Sequence, residues 1–251
     1  MSDAERLLQS YGVTDPREID LYAIAYLQGL SIRFAPLNAC DARLVGVGNR
    51  GIITVREDQR PERQRFSIGH EIGHWKHHRY KLLMCQSADI GEEREAGKQR
   101  EKVADRFASS LLMPNYLFHP VLREARRPSF ELAMELARRF QVSVTAALRK
   151  IVASDLFPAV LVSYDIKARR WYEHAPQVDP SWVPSSEIDG RSRALSVLLS
   201  RGKPTTAIKT PASVFFSRSD ASAHDVTEQF WSPCEGEALG LFVFGPSALR
   251  T

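Results

Sequence analysis

The chain has little of what a secreted or membrane-embedded protein requires. Its 251 residues include only three cysteines, Cys40, Cys85 and Cys234, which are far apart and odd in number. They predict neither a disulfide framework nor a cysteine-based zinc site. No apolar stretch approaches the roughly 18 residues of a membrane span. Residues 1–12 carry charges early and have no long apolar core, unlike a signal peptide. These absences favour a protein of the reducing cytoplasm that has no membrane partner.

Repeats and extreme charge are also absent. No internal repeat or low-complexity tract stands out, and a hydrophobic content of 43% suits a globular fold. The length allows one large domain or two modest ones. The formal net charge of +4 permits contact with nucleic acid or an acidic partner but requires neither. Four arginines between residues 56 and 65 fit a solvated helix face better than a binding patch.

The most informative segment is residues 70–74, which read His-Glu-Ile-Gly-His. On a helix, residues i and i+4 lie on one face, so both imidazoles can bind a single ion. Glu71 borders that face and can take a proton from a water on the metal, as a zinc peptidase requires. Pro61 and Glu62 suit a first helical turn, and no proline interrupts residues 62–80, so a helix is predicted there. The pattern leaves Mn²⁺ or another divalent ion open in place of Zn²⁺.

A catalytic zinc typically has three protein ligands and one position for water. Residues 100–112 predict an amphipathic helix that ends at Pro114. Glu101 and Asp105 share one face of it: Glu101 can bind the metal, and Asp105 can accept a hydrogen bond from the outer N–H of a ligand histidine. An ordinary helix with two solvated carboxylates is the alternative. Rival ligands are Glu92, Glu93 and Glu95, in a polar stretch that predicts a loop.

Several residues nearby have candidate supporting roles. The extended HExxHxxGxxH pattern is excluded, because His77 and Tyr80 stand where its glycine and third histidine would be. His77 and His78 are interpreted as side chains that support the ligands or lie at the surface. A closed structural site would need a fourth protein ligand, and these two histidines are the nearest candidates for it. Peptide hydrolysis also needs a donor to the oxyanion besides the metal. The sequence offers Tyr80, Tyr116 and His119 and does not choose among them.

The segments around the motif predict a mixed fold. A helix is expected from Asp15-Pro16 to near Gly29. Short strands follow at residues 31–37, 43–47 and 52–57, and residues 48–51 join the last two as a hairpin, which predicts a small antiparallel sheet beside the metal-binding helix.

Residues 129–152 predict two helices that meet at 141–143, a helix-turn-helix-like arrangement. DNA binding through the second helix would rest on few basic residues, Arg149 and Lys150. A helical hairpin that packs on the catalytic domain is therefore the favoured interpretation.

After residue 156 the pattern changes to short apolar runs punctuated by glycine and proline. Strands are predicted at 160–164, 170–174, 206–209, 214–216 and 239–244, with one helix at 189–200. This predicts a separate α+β domain with an antiparallel sheet. It can serve as a ligand-binding module or as a structural or dimerising one.

Two motifs resemble the ImmA/IrrE metallopeptidases: residues 65–74 followed by His78, and residues 101–114. The resemblance covers residues 15–155. It implies a zincin-like domain with zinc held by His70, His74 and Glu101, and Glu71 as general base. Family members often carry Asn where Asp105 stands, and many have a second Glu where this chain has Val103.

The family resemblance also implies a role. Its members resemble regulatory proteases that cleave a helix-turn-helix repressor and so derepress a stress, DNA-damage, phage or mobile-element regulon. The order of segments is similar to that of radiation-response members, which have a GAF-like sensor behind the protease. We therefore expect an α+β protein, mainly helical in its zincin-like part, with domains at 1–125, 126–156 and 157–251. The alternatives are a zinc-containing DNA-binding regulator and a protein that sequesters its partner without proteolysis.

Overall fold

The computed structural model describes residues 1–78, 92–199 and 202–245. The chain is a mixed α+β protein that divides into two compact units, Met1–Pro120 with Arg138–Ser143, and Val121–Ala137 with Val144–Thr251. Cys40 and Cys234 are not disulfide-bonded, and Cys85 lies outside the described residues. No helix of the described part is long and apolar enough to cross a membrane.

Where one helix was predicted after Asp15, the structure has a 3₁₀ turn and a short helix, and a further helix precedes them. Helix α1 spans Asp3–Ser10, a 3₁₀ turn spans Pro16–Glu18, and α2 spans Leu21–Leu27. Asp15 caps the turn, and Asp20 caps α2 by accepting hydrogen bonds from the backbone N–H groups of Tyr22 and Ala23. The prediction of one continuous helix was wrong because each aspartate starts a new helical segment.

A three-stranded sheet follows, with strands β1 (Leu30–Ala35), β2 (Ala42–Val47) and β3 (Arg50–Arg56) in the order β1-β3-β2. The predicted hairpin is confirmed, since β2 and β3 pair antiparallel with Val47 opposite Arg50. The prediction of a wholly antiparallel sheet was wrong, because β3 inserts between β1 and β2 and pairs parallel to β1.

Two long helices carry the sequence motifs, α3 over Pro61–His78 and α4 over Glu92–Leu112. One face of the sheet packs on α3, where Gly46 leaves room for the indole of Trp75. A Cβ atom at Gly46 would lie 2.3 Å from Trp75 Cζ3, so a larger residue there would displace the ring. The indole N–H of Trp75 also donates to the backbone oxygen of Gln28, which fixes α3 against the end of α2.

Three further helices are α5 (Asn115–Glu124), α6 (Phe130–Phe140) and α7 (Val144–Ala153). The predicted pair of helices across residues 129–152 is confirmed, and Gln141 makes the turn with a φ of 54° in the left-handed region. Within the second unit, α7 packs on the sheet through buried Leu148 and Ile151.

The second unit contains a five-stranded antiparallel sheet in the order β5-β4-β8-β7-β6. Its strands are β4 (Ala159–Tyr164), β5 (Arg169–His174), β6 (Ile208–Pro211), β7 (Asp225–Trp231) and β8 (Ala238–Phe244), and α8 is limited to Ala194–Leu198. The strand predicted at 214–216 was wrong, because a 3₁₀ turn at Ala212–Val214 places Phe215 in the core, 4.5 Å from the ring of Phe242. A second 3₁₀ turn, Ala221–Ala223, precedes β7. Strand β7 itself was not predicted.

Candidate metal centre

Helices α3 and α4 approach closely because small residues face each other. A Cβ atom added at Gly73 would lie 3.1 Å from the Cα of Ala104, and one added at Gly69 would lie 3.4 Å from the Cα of Ala108. Small residues one helical turn apart on both helices let the two backbones come together. The same contact brings the carboxylate of Glu101 to the histidines of α3. Sequence analysis did not identify these small residues, although their i, i+4 spacing is visible in both motifs.

The side chains of His70, His74 and Glu101 converge on one point. The two Nε2 atoms lie 2.9 Å apart, and the Glu101 carboxylate oxygens lie 3.2 Å from Nε2 of His70 and 3.3 Å from Nε2 of His74. Ligands bound tetrahedrally at about 2.0–2.2 Å from a zinc ion are separated by roughly 3.3 Å. Two imidazole nitrogens and a carboxylate at these distances are therefore a donor set that fits Zn²⁺.

Exposure differs between the sides of this cluster. The histidine side chains are 18% and 13% exposed, whereas that of Glu101 is 60% exposed. Solvent therefore reaches the cluster from the α4 side, while the α3 side is enclosed. An ion held here would be accessible to water and to a substrate, as a catalytic site requires.

Two further side chains hold the histidine rings from behind. Oδ1 of Asp105 lies 2.9 Å from Nδ1 of His70, and Nδ1 of the buried His78 lies 3.1 Å from Nδ1 of His74. When the ligand ring donates its Nδ1–H to such a partner, its Nε2 lone pair is left for the metal. Asp105 and His78 thus lie where the sequence analysis expected supporting side chains.

Glu71 lies in a nearly dry environment on the same helix. It is 9% exposed, and burial raises the pKa of its carboxyl to about 7, with a further contribution from the nearby Glu101 carboxylate and an opposing one from His70. Burial is also the main cause of the lowered pKa of His74, followed by the neighbouring His70. A carboxyl that titrates near neutrality can both accept and release a proton.

The other candidates from the sequence lie elsewhere or outside the described residues. The hydroxyl of Tyr116 donates to the backbone oxygen of Val13, 2.8 Å away, and Tyr80 lies outside the described residues. His119 is half-buried on α5 and does not belong to the described group of converging ligand atoms. The imidazole of His77 turns towards α1, with Nε2 3.7 Å from Asp3.

The rival carboxylates belong to α4. The loop predicted for the polar stretch was wrong from residue 92 onwards, because helix α4 begins there. Glu95 forms an exposed ion pair with Lys98, 3.6 Å away, and does not join the histidines. The side chains of Glu92 and Glu93 lie outside the described part of the chain.

The part of the chain that carries this site matches a known family. The model of a peptidase family, the IrrE N-terminal-like domain, matches residues 27–152. The chain is 31% identical over 162 residues to the radiation response metalloprotease IrrE of Deinococcus deserti, covering 61% of this chain and 54% of that protein. It is 29% identical over 143 residues to the IrrE of Deinococcus radiodurans, covering 55% of this chain and 41% of that protein. The chain thus spans about half the length of the curated relatives it matches.

A solved structure adds a likeness in fold. A transcriptional regulator of Mycobacterium tuberculosis superposes with a TM-score of 0.68 at 15% sequence identity, over 96% of this chain and 75% of that one. At this identity the likeness concerns the fold alone. The match of the family model to half of the chain, together with the two IrrE relatives, confirms the resemblance found in the sequence: the chain belongs to the ImmA/IrrE family of metallopeptidases, whose shared part is the IrrE N-terminal-like domain.

Proposed function

We propose that the chain is a zinc-dependent regulatory endopeptidase that cleaves a helix-turn-helix transcriptional repressor and so releases a stress, phage or mobile-element regulon. The observation that carries this proposal is the convergence of His70, His74 and Glu101 on one point, next to the buried carboxyl of Glu71 on the same helix. The three ligands leave one coordination position for water in a tetrahedral site.

Different residues of the chain would have different roles in peptide hydrolysis. Bound Zn²⁺ would polarise the scissile carbonyl and lower the pKa of a water. Glu71 accepts the proton of that water on a carboxylate oxygen and delivers it to the leaving amide nitrogen. Asp105 and His78 hold the two ligand rings in the tautomer that presents Nε2.

The regulatory role is supported by the relatives. Both curated relatives are radiation response metalloproteases. A repressor substrate is what the family resemblance implies.

Direct DNA binding through the second helix of the helix-turn-helix-like pair is less well supported. On α7, the guanidinium of Arg149 lies 4.3 Å from the centre of the Trp171 ring and 3.0 Å from Glu173. One of the two basic residues of that helix is therefore engaged by the sheet of its own unit. An electrophoretic shift assay at low salt tests this alternative, since phosphate contacts weaken steeply as salt rises.

A cleavage assay tests the proposed function. The zinc-loaded chain is incubated with helix-turn-helix repressors encoded near its gene, and the products are identified by mass spectrometry. We expect one repressor to be cut at a defined bond, with cleavage abolished by a chelator and by Glu71→Gln.

The control is the zinc content of the variant. Glu71→Gln should retain the metal, because Glu71 is not among the converging ligands. Cleavage that persists in this variant would remove Glu71 from its role. Repressors that stay intact but form a stable complex with the wild-type chain would favour sequestration instead of proteolysis.

A further inference from the structure

The outward face of the three-stranded sheet carries arginines and branched apolar side chains together. Successive side chains of a strand point to opposite faces. Since Gly46 and Gly51 face Trp75 of α3, the residues of opposite parity face away from that helix. This outward face includes Arg33, Arg43, Val45, Val47, Arg50 and Ile52, all of them exposed.

The strand register places two of the arginines on either side of one central residue. Thr54 on β3 pairs with Arg33 on β1 and with Arg43 on β2. Nε of Arg33 donates to Oγ1 of Thr54 at 2.9 Å, and Thr54 is only 2% exposed. Since neighbouring strands are about 4.8 Å apart, the two arginines stand roughly 10 Å apart across the sheet. Arg33 is thus partly fixed in position before any partner binds.

The charge of this face is not neutralised within the described residues. Arg33, Arg43 and Arg50 form no ion pair among residues 1–78, 92–199 and 202–245. By contrast, Arg56 at the end of the same face is paired with Asp41 at 3.6 Å and with Asp58 at 3.0 Å. Since these arginines do not stabilise the fold through ion pairs, the arrangement suits an anionic partner.

The apolar side chains decide which kind of anionic partner fits. Val45 is 57% exposed, Val47 81% and Ile52 42%, and Val45 and Ile52 are directly paired across β2 and β3. Branched aliphatic groups gain by contact with other aliphatic groups and gain nothing beside phosphates. The described residues of this face also include no aromatic ring on which a base could stack. Arginine next to exposed apolar residues is instead typical of a protein interface.

We propose that the outward face of the sheet is a docking surface for an acidic segment of a partner protein in which Asp or Glu residues alternate with aliphatic ones. The carboxylates pair with Arg33, Arg43 and Arg50, while the aliphatic side chains cover Val45, Val47 and Ile52. The face lies on the side of the sheet away from α3, so this binding needs neither the metal nor Glu71 and stands independently of the proposed protease function.

Fluorescence anisotropy with the full chain tests the proposal. The probe is a short labelled peptide rich in Glu, Leu and Val, and the comparison probes are the same peptide with Lys in place of Glu and a mixed-sequence DNA oligonucleotide, single-stranded and duplex. All titrations are repeated with a chelator present. We expect the acidic peptide to bind with or without the chelator, more weakly as salt increases, and the lysine peptide not to bind.

Matched variants locate the binding. The double variant Arg43→Glu, Arg50→Glu should weaken binding of the acidic peptide by about tenfold or more, and Val47→Ser should weaken it by a smaller factor at unchanged salt dependence. The double variant Arg123→Glu, Arg126→Glu, which changes two exposed arginines of the other unit to the same extent, should bind as the wild type does. Far-UV circular dichroism checks that each variant is folded.

Three outcomes would overturn the proposal. The acidic peptide could fail to bind the wild-type chain. Alternatively, the two double variants could lose peptide affinity equally, which would show that only the net charge of the chain matters. Alternatively, DNA could bind more tightly than the peptide, and the double variant Arg43→Glu, Arg50→Glu could lose this DNA binding. That result would assign the face to nucleic acid.

Discussion

At the residue scale, the most informative contact is the one behind the first histidine. Asp105 lies 2.9 Å from Nδ1 of His70. Because an Asn oxygen can accept the same hydrogen bond, whereas Ala cannot, we expect Asp105→Asn to bind zinc nearly as well as the wild type. Asp105→Ala should lose affinity by about 10- to 100-fold. Competition titration with a chromophoric chelator measures both affinities. Equal affinities of the Ala variant and the wild type would show that Asp105 does not orient His70.

Glu71 permits a prediction of pH dependence for the metal-free chain. Its pKa is raised from an ordinary value of 4.5 to about 7, so the folded state holds the proton more tightly than the unfolded state. The stability that this protonation provides is fully present below about pH 4.5 and is lost as the pH rises through 7. We expect Glu71→Gln to stabilise the metal-free chain more at pH 8 than at pH 5, by roughly 1–3 kcal/mol.

Urea unfolding at the two pH values measures this difference. Comparison of the variant with the wild type cancels the titration of the other groups. A free-energy difference that does not change between pH 5 and pH 8 would mean that burial does not perturb Glu71.

At the scale of the elements, the close contact between α3 and α4 depends on small residues such as Gly73. A Cβ atom at Gly73 would lie 3.1 Å from both the Cα of Ala104 and the Cβ of Phe107, whereas at Gly97 the nearest such atom is a terminal nitrogen of Arg100 at 3.9 Å. Both glycines lie within helices, so alanine improves helix propensity equally at each. We therefore expect Gly97→Ala to stabilise by up to about 1 kcal/mol, and Gly73→Ala to destabilise by roughly 1–3 kcal/mol.

Thermal unfolding and zinc titration of the matched pair check this prediction. Gly73→Ala should also weaken zinc binding, because Glu101 on α4 moves away from the histidines on α3. If both variants were stabilised and bound zinc equally well, the spacing of the two helices would not depend on Gly73.

The same elements show how far the sequence determines the fold. Helices α3 and α6–α7, the β2–β3 hairpin and the converging ligands were predictable, because turn residues, caps and i, i+4 spacing are local signals. The parallel pairing of β1 with β3 was not, since it depends on contacts between distant residues. Strand β7 was not predictable, because it contains the polar residues Glu228 and Gln229. Both are buried in the fold, where Glu228 is paired with Arg193 and Gln229 with Glu131.

At the scale of the whole molecule, the metal should contribute to stability by linking two helices of the first unit. A ligand that binds only the folded state stabilises it by about 4 kcal/mol at a thousandfold excess over its Kd. We expect a chelator to lower the unfolding temperature of the zinc-loaded chain, which calorimetry would record. Glu101→Ala, which removes a ligand, should unfold at the same temperature with and without zinc. Unfolding of the wild-type chain that is insensitive to chelation would contradict a metal site in the first unit.

The division of the ligands between two helices has a consequence for protein synthesis. A nascent chain that has emerged only as far as α3 has both imidazoles but lacks the carboxylate of α4. Domains fold largely in the order in which they leave the ribosome. Under the proposed function, peptide hydrolysis therefore requires that translation has passed α4 and that the two helices have met.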